Sequence, residues 1–434
     1  MTDLPRRHQR VVVTPAVRHG RLPRRHATGR VVRILASVLA VVLISVGSVA
    51  AFAVWDVARS IKTGVHLAAL PGHTRQAHTD NVSAIKGGVN LLLTGTDSRS
   101  GLGGVYSSAD EQDASSGAGN NDVTMLLHIA EDHKSAVVVS FPRDLIVPIP
   151  DCPSPDGKGT VAGSSDDQFN TALSRGGLPC VVLTVEKMTG VDIPFAAVIN
   201  FNGVSAMSSA IGGVTVCLAT PVKDLYTNPP LDLPAGQNTL VGDQALSFLR
   251  SRHGVGDGSD LGRISNQQVF LSALARTVVS GGVLGNPVKL YALAKAAVKN
   301  ITPSDTLTNP TTLVQIALAL KDTGLGNMVF LQYPAISDPS DPNRVIVDDN
   351  AAQAIDDALV KDVPVKLTGT TGRAAEDPNA SATPSPAPTE TAPASPSTPA
   401  STPAPTATPT GPVALPNTIT GQTAAQQTCT KGND

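Results

Sequence analysis

The fold is decided by residues 121–145, NDVTMLLHIAEDHKSAVVVSFPRDL, in which two apolar runs flank a short polar turn. The runs 124–130 and 136–141 are rich in Val, Leu and Ile, and their length is typical of buried strands. A third run of the same kind, 89–95, precedes them, separated by a long Gly-, Ser-, Asp- and Asn-rich stretch. We therefore predict three neighbouring strands of one sheet, with residues 98–121 as a loop over a site.

Helical and strand-like patterns alternate through the chain that follows. Helices are predicted over 166–176, 179–188, 261–280, 287–299, 311–321 and 350–359, and from about Asp243. Strands are predicted over 196–201, 213–218 and 328–332. Strands interspersed with helices indicate an α/β fold, a central mixed β-sheet flanked by helices.

The N-terminal part of the chain has the pattern of a membrane anchor. Residues 34–55 contain no charged side chain, and about 20 helical residues span the hydrocarbon core of a bilayer. Nine arginines precede this run within the first 33 residues. By the positive-inside rule we expect a single-pass anchor with a cytoplasmic N-terminus and everything after Trp55 outside the cell. A cleaved signal peptide and a buried core helix are the alternatives.

Six regions follow from these patterns: a basic arm (1–33), an anchor (34–55), a juxtamembrane linker (56–85), a catalytic domain (86–280), a helix-and-strand extension packed on it (281–370) and a tail (371–434). The tail is rich in Pro, Ser, Thr and Ala, a composition that buries too little apolar surface to fold. We expect it to be disordered.

The four cysteines, Cys152, Cys180, Cys217 and Cys429, are even in number and show no CxxC spacing. In an exported protein they can form two disulfides, with three possible connectivities. Buried free thiols are the alternative, since Cys217 lies within an apolar run.

Net charge argues against nucleic acid as a partner. The first 33 residues contain nine arginines and one acidic residue, Asp3, so the remainder of the chain has a net charge of −10. Aromatic residues make up only 3% of the chain. Nucleic-acid-binding proteins usually present a basic face or an aromatic stacking platform. We expect no nucleic-acid partner.

Arginines cluster with aspartates in a few short motifs. Only eleven arginines follow Trp55, and five of them lie in the segments TGTDSRSG, SFPRDLIVPIP and LRSRHGVGDGSDLGRISNQQ. A further polar group, NND at residues 120–122, directly precedes a predicted strand. Side chains at the ends of buried strands converge at one edge of a sheet.

Guanidinium groups beside carboxylates suit a pyrophosphate held by bidentate arginines and a hard divalent cation, Mg²⁺ or Mn²⁺. Ordinary Asp–Arg surface ion pairs are the alternative interpretation. The chain has no HExxH, GxSxG or GxxxxGK[ST] motif, and His128, His133 and His253 are not at the spacing of zinc ligands.

Seven ordered segments between Gly88 and Leu274 resemble the LytR-CpsA-Psr family of cell-wall glycopolymer ligases. They are NLLLTGTDSR, NNDVTMLLHI, SFPRDLIVPIP, FNTALSRGG, TVEKMTGVDIPF, NFNGVSAMSSAIGGVTV and GDQALSFLRSRHGVGDGSDLGRISNQQ. The resemblance implies a three-layer α-β-α domain. It also implies a phosphotransferase that moves a glycopolymer from a polyprenyl pyrophosphate to peptidoglycan at the membrane.

The resemblance also assigns roles to residues. Asp97 and Asp122 match the metal ligands, and Asp97 is the candidate general base. The pyrophosphate contacts would be Arg99, Arg143, Arg250, Arg252 and Arg263. The catalytic set would be Asp97, Arg143, Arg252, Asp260 and Arg263, with Asp260 supporting the arginines.

One position departs from the family pattern, because Asn120 stands where many relatives have Arg, two residues before the motif aspartate. Two other functions use the same residues. A pyrophosphatase would cleave the lipid-linked substrate with water, and a membrane-bound regulator would only bind it. We expect the ligase, with lipid-linked glycopolymer, peptidoglycan and membrane lipid as its partners.

Overall fold

The computed structural model describes residues 27–70, 82, 85–96, 119–280, 282–283, 285–378 and 411–433. The chain divides into two units, residues 1–55 and 56–434. The helix α1, Ala27–Ala58, is long and apolar enough to cross a membrane, and none of its apolar window is buried inside the protein. The absence of burial disfavours a core helix.

A mixed sheet of seven strands forms the centre of the second unit. Its strand order is β13-β8-β1-β2-β3-β14-β20, where β1 is Val89–Thr96, β2 Asn121–Ile129, β3 Ala136–Phe141, β8 Phe195–Ile199, β13 Ile301–Pro303, β14 Met328–Gln332 and β20 Gly421–Thr423. Strands β1, β2 and β3 are antiparallel neighbours, whereas β8 runs parallel to β1 and β14 parallel to β3. The three strands predicted from the apolar runs are confirmed as neighbours.

Two smaller sheets of four strands and three two-stranded pairs surround the centre. One sheet has the order β12-β9-β21-β18, from Gly236–Leu240, Val214–Leu218, Cys429–Thr430 and Ala375–Glu376. The other has the order β15-β16-β4-β7, from Ala335–Ser337, Val345–Val347, Leu145–Ile149 and Ser164–Gln168. The pairs are β5-β6 (Cys152–Pro153 and Thr160–Val161), β10-β11 (Val222–Asp224 and Leu231–Leu233) and β17-β19 (Val365–Lys366 and Val413–Ala414).

Helices cover both faces of the central sheet. They are α2 Ala172–Thr189, α3 Phe201–Ile211, α4 Asp243–Arg250, α5 Asp260–Val279, α6 Pro287–Asn300, α7 Pro310–Thr323 and α8 Asp349–Val360. Leu92 and Leu126 share one core with Val181 of α2 and Ile355 of α8. Leu127 and other strand residues of the opposite face share a second core with Ile316 of α7. Burial on both faces explains why the strands read as continuous apolar runs.

The extension predicted over 281–370 contributes strands β13 and β14 to the central sheet itself. The prediction that the extension only packs on residues 86–280 is therefore corrected, because the two regions share one sheet. Its helix α8 belongs to the same core as α2.

The predicted helix over 166–176 is wrong at its start. Residues 164–168 form β7, which pairs antiparallel with β4, and a 3₁₀ turn, Phe169–Thr171, leads into α2. Pairing along the sheet therefore overrides the local helical pattern. The break predicted after residue 176 is a kink inside α2, where Gly177 has a φ of +67°.

The predicted tail is corrected in its extent. Residues 411–433 fold onto the domain, where β20 forms an edge of the central sheet and β21 lies between β9 and β18. Residues 371–378 are folded as well and contain β18. Residues 379–410 lie outside the described part of the chain.

Both disulfides expected from the cysteine count are present. Cys152 in β5 is joined to Cys180 in α2, and Cys217 in β9 is joined to Cys429 in β21. The structure thus selects one of the three connectivities. The second disulfide ties the C-terminal segment to a strand 212 residues earlier in the chain.

Candidate active site

Three strand ends meet at one edge of the central sheet. Because β1, β2 and β3 are antiparallel neighbours, the end of β1 at Thr96 lies beside the start of β2 at Asn121, and the end of β3 at Phe141 lies beside Thr124. The motif residues that follow β3 and open β2 are therefore brought together, as the sequence predicted. Asn121 is fully buried and accepts a hydrogen bond from the backbone N–H of Leu173, which fixes this edge against α2.

Arg143 is at the centre of a cluster of carboxylates. Its Nη1 donates to Asp122 Oδ1 at 2.7 Å, and its Nε lies 3.6 Å from Asp144 Oδ2 and 3.6 Å from Asp260 Oδ1. The Arg143 side chain is 23% exposed. Burial tends to lower the pKa of this guanidinium, but the charges of Asp122 and Asp260 outweigh that effect and raise it. Arg143 therefore stays charged.

The start of α5 brings the second arginine of the cluster. Arg263 Nη2 lies 2.6 Å from Asp260 Oδ1 and donates to the backbone carbonyl of Asp122 at 2.9 Å. Both side chains are only 8% exposed. The contact to Asp122 joins the first turn of α5 to the start of β2, although 141 residues separate them in the chain.

A loop before α5 holds Arg252. Its Nε donates to the carbonyl of Gly258 at 3.2 Å, and its backbone N–H donates to Asp224 Oδ2. Gly256 and Gly258 have φ values of +58° and +74°, which favour glycine. Ser259 caps α5 by accepting from the backbone N–H of Gly262 at 3.1 Å. Such a helix start, with its free N–H groups, favours a bound anion.

Arg250 has a different environment from the other predicted arginines. Its guanidinium stacks on the ring of Phe201, with the carbon Cζ 4.3 Å from the ring centroid. Its assignment as a pyrophosphate contact stays a prediction.

Asp97 and Arg99 fall within residues 97–118, outside the described part of the chain. The loop predicted over 98–121 lies there almost entirely. The assignments of Asp97 as metal ligand and base, and of Arg99 as a phosphate contact, therefore stay predictions. The structure does bring together Asp122, Arg143, Asp260 and Arg263.

Three positions at the site were not assigned from the sequence. Asp144 adds a third carboxylate beside Arg143, and Gln168 Nε2 donates to its Oδ1 at 3.2 Å. Asp144 directly follows Arg143, so its position was a usable signal. Asp224 accepts from the loop of Arg252, and no local pattern in its surroundings indicates that long-range contact.

Among the residues that the structure describes, no group of three or more His, Cys, Asp or Glu side chains has the geometry of a metal site. The three carboxylates near Arg143 are oxygen donors of the kind that Mg²⁺ prefers. Asp122, 21% exposed, is the predicted ligand that lies within the described residues. The donor chemistry fits the expected cation, and its second predicted ligand, Asp97, lies outside the described residues.

The LytR_cpsA_psr family matches residues 60–361 of the chain. This protein belongs to that family. The match includes all the described residues of the cluster around Arg143.

Two curated relatives illustrate the similarity. The chain is 31% identical over 274 residues to the cell wall biosynthesis protein LcpA of Corynebacterium glutamicum, covering 59% of this chain and 51% of that protein. It is 27% identical over 249 residues to the polyisoprenyl-teichoic acid–peptidoglycan teichoic acid transferase TagT of Bacillus subtilis, covering 56% of this chain and 69% of that protein. The alignment thus spans about half of the length of LcpA.

The fold is also similar to a solved structure. Protein gbs0355 from Streptococcus agalactiae superposes with a TM-score of 0.52 and 20% identity, covering 67% of this chain and 91% of that one. At this identity the likeness shows the shared fold alone. It agrees with the predicted mixed sheet flanked by helices.

Proposed function

We propose that this protein is a phosphotransferase that moves a glycopolymer from a polyprenyl pyrophosphate carrier to a hydroxyl group of peptidoglycan. The observation that carries the proposal is the cluster in which Arg143 and Arg263 face Asp122, Asp144 and Asp260 at the edge of the central sheet. Family membership supports it, as does the similarity to TagT, a polyisoprenyl-teichoic acid–peptidoglycan teichoic acid transferase.

The charges of the cluster explain how a pyrophosphate can bind. Three carboxylates and two guanidinium groups give these five residues a formal net charge of −1. In the free protein each arginine is paired with at least one carboxylate of the cluster. A bound pyrophosphate would take over the arginine contacts, since its oxygens accept bidentate hydrogen bonds. The carboxylates that the arginines release then need another positive partner.

A divalent cation meets that need. We propose that Mg²⁺, or Mn²⁺, is held by Asp122 together with Asp97. When bound, the cation would neutralise phosphate charge and hold the pyrophosphate oxygens in place.

The reaction itself needs no nucleophile from the protein. The oxygen of the acceptor hydroxyl attacks the phosphorus that carries the glycan, the bond from that phosphorus to the bridging oxygen breaks, and polyprenyl phosphate leaves. Arg143 and Arg263 stabilise the negative charge that develops on the leaving phosphate. Arg252, on the loop that opens α5, would add a third guanidinium. The hydroxyl proton passes to a base, for which Asp97 is our candidate.

We also propose the orientation of the protein in the membrane. Nine arginines precede the uncharged run 34–55 of the apolar helix, and the chain after the helix contains two disulfides, which form in oxidising compartments. Both features support a cytoplasmic N-terminus and an external catalytic unit. Lipid-linked donors and peptidoglycan then meet the site on the same side of the membrane.

The test uses the full chain in lipid nanodiscs with Mg²⁺, a polyprenyl pyrophosphate that carries a labelled oligosaccharide, and nascent peptidoglycan. Transfer of the label to peptidoglycan, with its loss in Arg143→Ala, is the expected result. Release of labelled oligosaccharide phosphate without transfer would instead identify a pyrophosphatase. Donor binding without turnover of any kind would identify a binding protein and overturn the proposal.

A further inference from the structure

An exposed aromatic pair lies beside the loop of Arg252. Tyr226 is 84% exposed and its neighbour Leu225 is 68% exposed, in the turn between β10 and β11. The Tyr226 ring packs against the ring of His253 in a tilted arrangement, with centroids 4.7 Å apart and an interplanar angle of 53°. Among the described residues after Ala58, Tyr226 is the one Phe, Trp or Tyr whose side chain is exposed. A single exposed apolar side chain is common on protein surfaces, whereas neighbouring ones, such as Leu225, Tyr226 and the ring of His253, mark an interaction site.

Buried Asp224 fixes this turn to the loop of the active site. Its Oδ1 accepts from the backbone N–H of Tyr226 at 3.0 Å. Its Oδ2 accepts from Ser251 Oγ at 2.7 Å and from the backbone N–H groups of Arg252 and Gly254 at 3.2 and 3.1 Å. Asp224 is 2% exposed. Asp224 therefore joins the backbone of Tyr226 to the backbone of the loop that contains Arg252 and His253.

The chemistry of this surface suits a sugar ring. Leu225, Tyr226 and His253 offer apolar and aromatic faces, on which the C–H face of a saccharide can stack. The surface is open, which accommodates a polymer that cannot enter a closed pocket.

We infer that Leu225, Tyr226 and His253 form a platform for the glycan strand of the acceptor peptidoglycan. This inference rests on the proposed function. The donor has an ionic anchor in its pyrophosphate, which the arginines bind. The acceptor presents a neutral hydroxyl and needs binding by stacking, which this surface supplies next to Arg252.

The experiment measures kinetic constants for both substrates with the full chain in nanodiscs. Tyr226→Ala removes the ring, Tyr226→Phe keeps it, and Val288→Ala is a control at an exposed apolar residue of α6, 74% exposed. We expect Tyr226→Ala to raise the KM for peptidoglycan strands about 3- to 10-fold, the range that one aromatic contact supplies. The KM for the donor and kcat should stay near wild type. Tyr226→Phe should retain most of the acceptor affinity.

A second measurement does not depend on turnover. Soluble uncrosslinked glycan strands are titrated against the full chain without donor, for the wild type and for Tyr226→Ala. Weaker binding by the variant supports the platform even if the protein hydrolyses its donor and does not transfer the glycan. Equal binding and an unchanged acceptor KM in a protein that does transfer would overturn the platform alone. If Tyr226→Ala raised the KM for the donor, the platform would be overturned as well, since Tyr226 and His253 would then contact the donor or the membrane.

Discussion

At the scale of single residues, Arg143 has the contacts expected of an electrostatic catalyst. It lies within 3.6 Å of three carboxylates, it is part-buried and its pKa is raised by their charges. We expect Arg143→Ala to lower kcat by about 100-fold or more, the usual effect of removing a donor that stabilises transition-state charge. Arg143→Lys should recover only part of the rate, because an ammonium group does not present the planar fork of a guanidinium. Transfer of labelled glycan measures both.

Arg344→Ala is the matched control for this change. Arg344 is also an arginine with an aspartate nearby, its Nε lying 3.9 Å from Asp341 Oδ2, and its exposure of 32% is comparable. It lies outside the cluster and should transfer at the wild-type rate. Equal losses in the two variants, or an unimpaired Arg143→Ala, would exclude Arg143 from catalysis.

The proposed cation is tested at Asp122. We expect a chelator to abolish transfer, and Mg²⁺ or Mn²⁺ to restore it. Asp122→Asn should weaken Mn²⁺ binding, because an amide oxygen carries no charge, and spectroscopic titration of the donor-free protein with Mn²⁺ measures this without turnover. Asp341→Asn serves as the control. Full activity in the presence of a chelator would exclude the metal.

The buried carboxyl group of Asp356 should make the folded protein more stable at acidic pH than at neutral pH. Burial raises its pKa from 3.8 to about 7, and Tyr333 Oη donates to its Oδ2 at 3.0 Å. Its Oδ1 is buried without a hydrogen-bond partner among the described residues. Because the folded pKa is the higher one, the stabilisation is complete below pH 3.8 and is lost as the pH rises through about 7. The loss is at most roughly 4 kcal/mol.

Asp356→Asn isolates this effect, since an amide does not titrate. We expect the wild type to lose stability relative to Asp356→Asn between pH 5 and pH 8, measured by urea unfolding of the full chain in detergent. Asp232→Asn, a change at an aspartate that is 80% exposed and does not shift the pKa of Asp356, should follow the wild type. A constant difference between wild type and Asp356→Asn across this range would contradict the raised pKa.

Three charged side chains of the cluster were predictable from the sequence because each directly follows or precedes an apolar segment. Asp122 opens β2 and Arg143 follows β3, and antiparallel neighbours must bring such ends to one edge. Asp260 instead precedes the apolar stripe of the predicted helix that became α5. The contact of Arg263 with the carbonyl of Asp122 was not predictable in this way. It depends on how α5 packs against the sheet, which no local pattern encodes.

At the scale of elements, the start of α5 links loop geometry to the site. Ser259 caps this helix, and the next residues include Asp260 and Arg263. Ser259→Ala should destabilise the fold by about 1 kcal/mol, the usual loss for a cap. It should also lower transfer several-fold, because the first turn of α5 then orients both charged side chains less firmly. Thermal unfolding and the transfer assay measure the two effects.

Asn309→Ala is the control at a second cap. The Asn309 side chain accepts from the backbone N–H of Thr311 and caps α7, which belongs to the core on the face of Leu127. The loss of stability should be similar, whereas transfer should be unchanged at a temperature at which both variants are folded. If both variants lost transfer equally, the cap of α5 would have no special effect on the site.

Helix α3 shows why some elements were missed. It was not predicted, although Asn200 caps its start and Gly212 ends it with a φ of +88°. Its sequence, FNGVSAMSSAI, contains Gly203 and three serines, which are poor helix formers, so the weak propensity hid a short helix between two predicted strands. The caps were a usable signal. Helix α5 was predicted nearly in full, because it is long and its apolar residues recur at helical spacing.

At the scale of the whole molecule, the C-terminal segment is part of the domain and completes two sheets. Gln422 of β20 is 1% exposed and donates to Gln268 O and Ser272 Oγ of α5. Thr430 of β21 donates to Asn266 of the same helix at 2.8 Å. The segment therefore packs along the helix whose first turn holds Asp260 and Arg263. The sequence did not predict this, because the segment is short and polar and its partners are more than 140 residues away in the chain.

Removing this segment should affect the fold more than removing its disulfide. A chain that ends at residue 410 exposes β14, whose Val329, Phe330 and Leu331 pair with β20 in the intact protein, and an open apolar edge strand favours aggregation. It also uncovers the buried side of α5. We expect that chain to aggregate or to lose transfer entirely, whereas Cys217→Ser with Cys429→Ser should remain folded and be less stable by about 2–4 kcal/mol. Light scattering and thermal unfolding distinguish the two. A soluble chain ending at 410 with wild-type transfer would show that α5 does not depend on the segment.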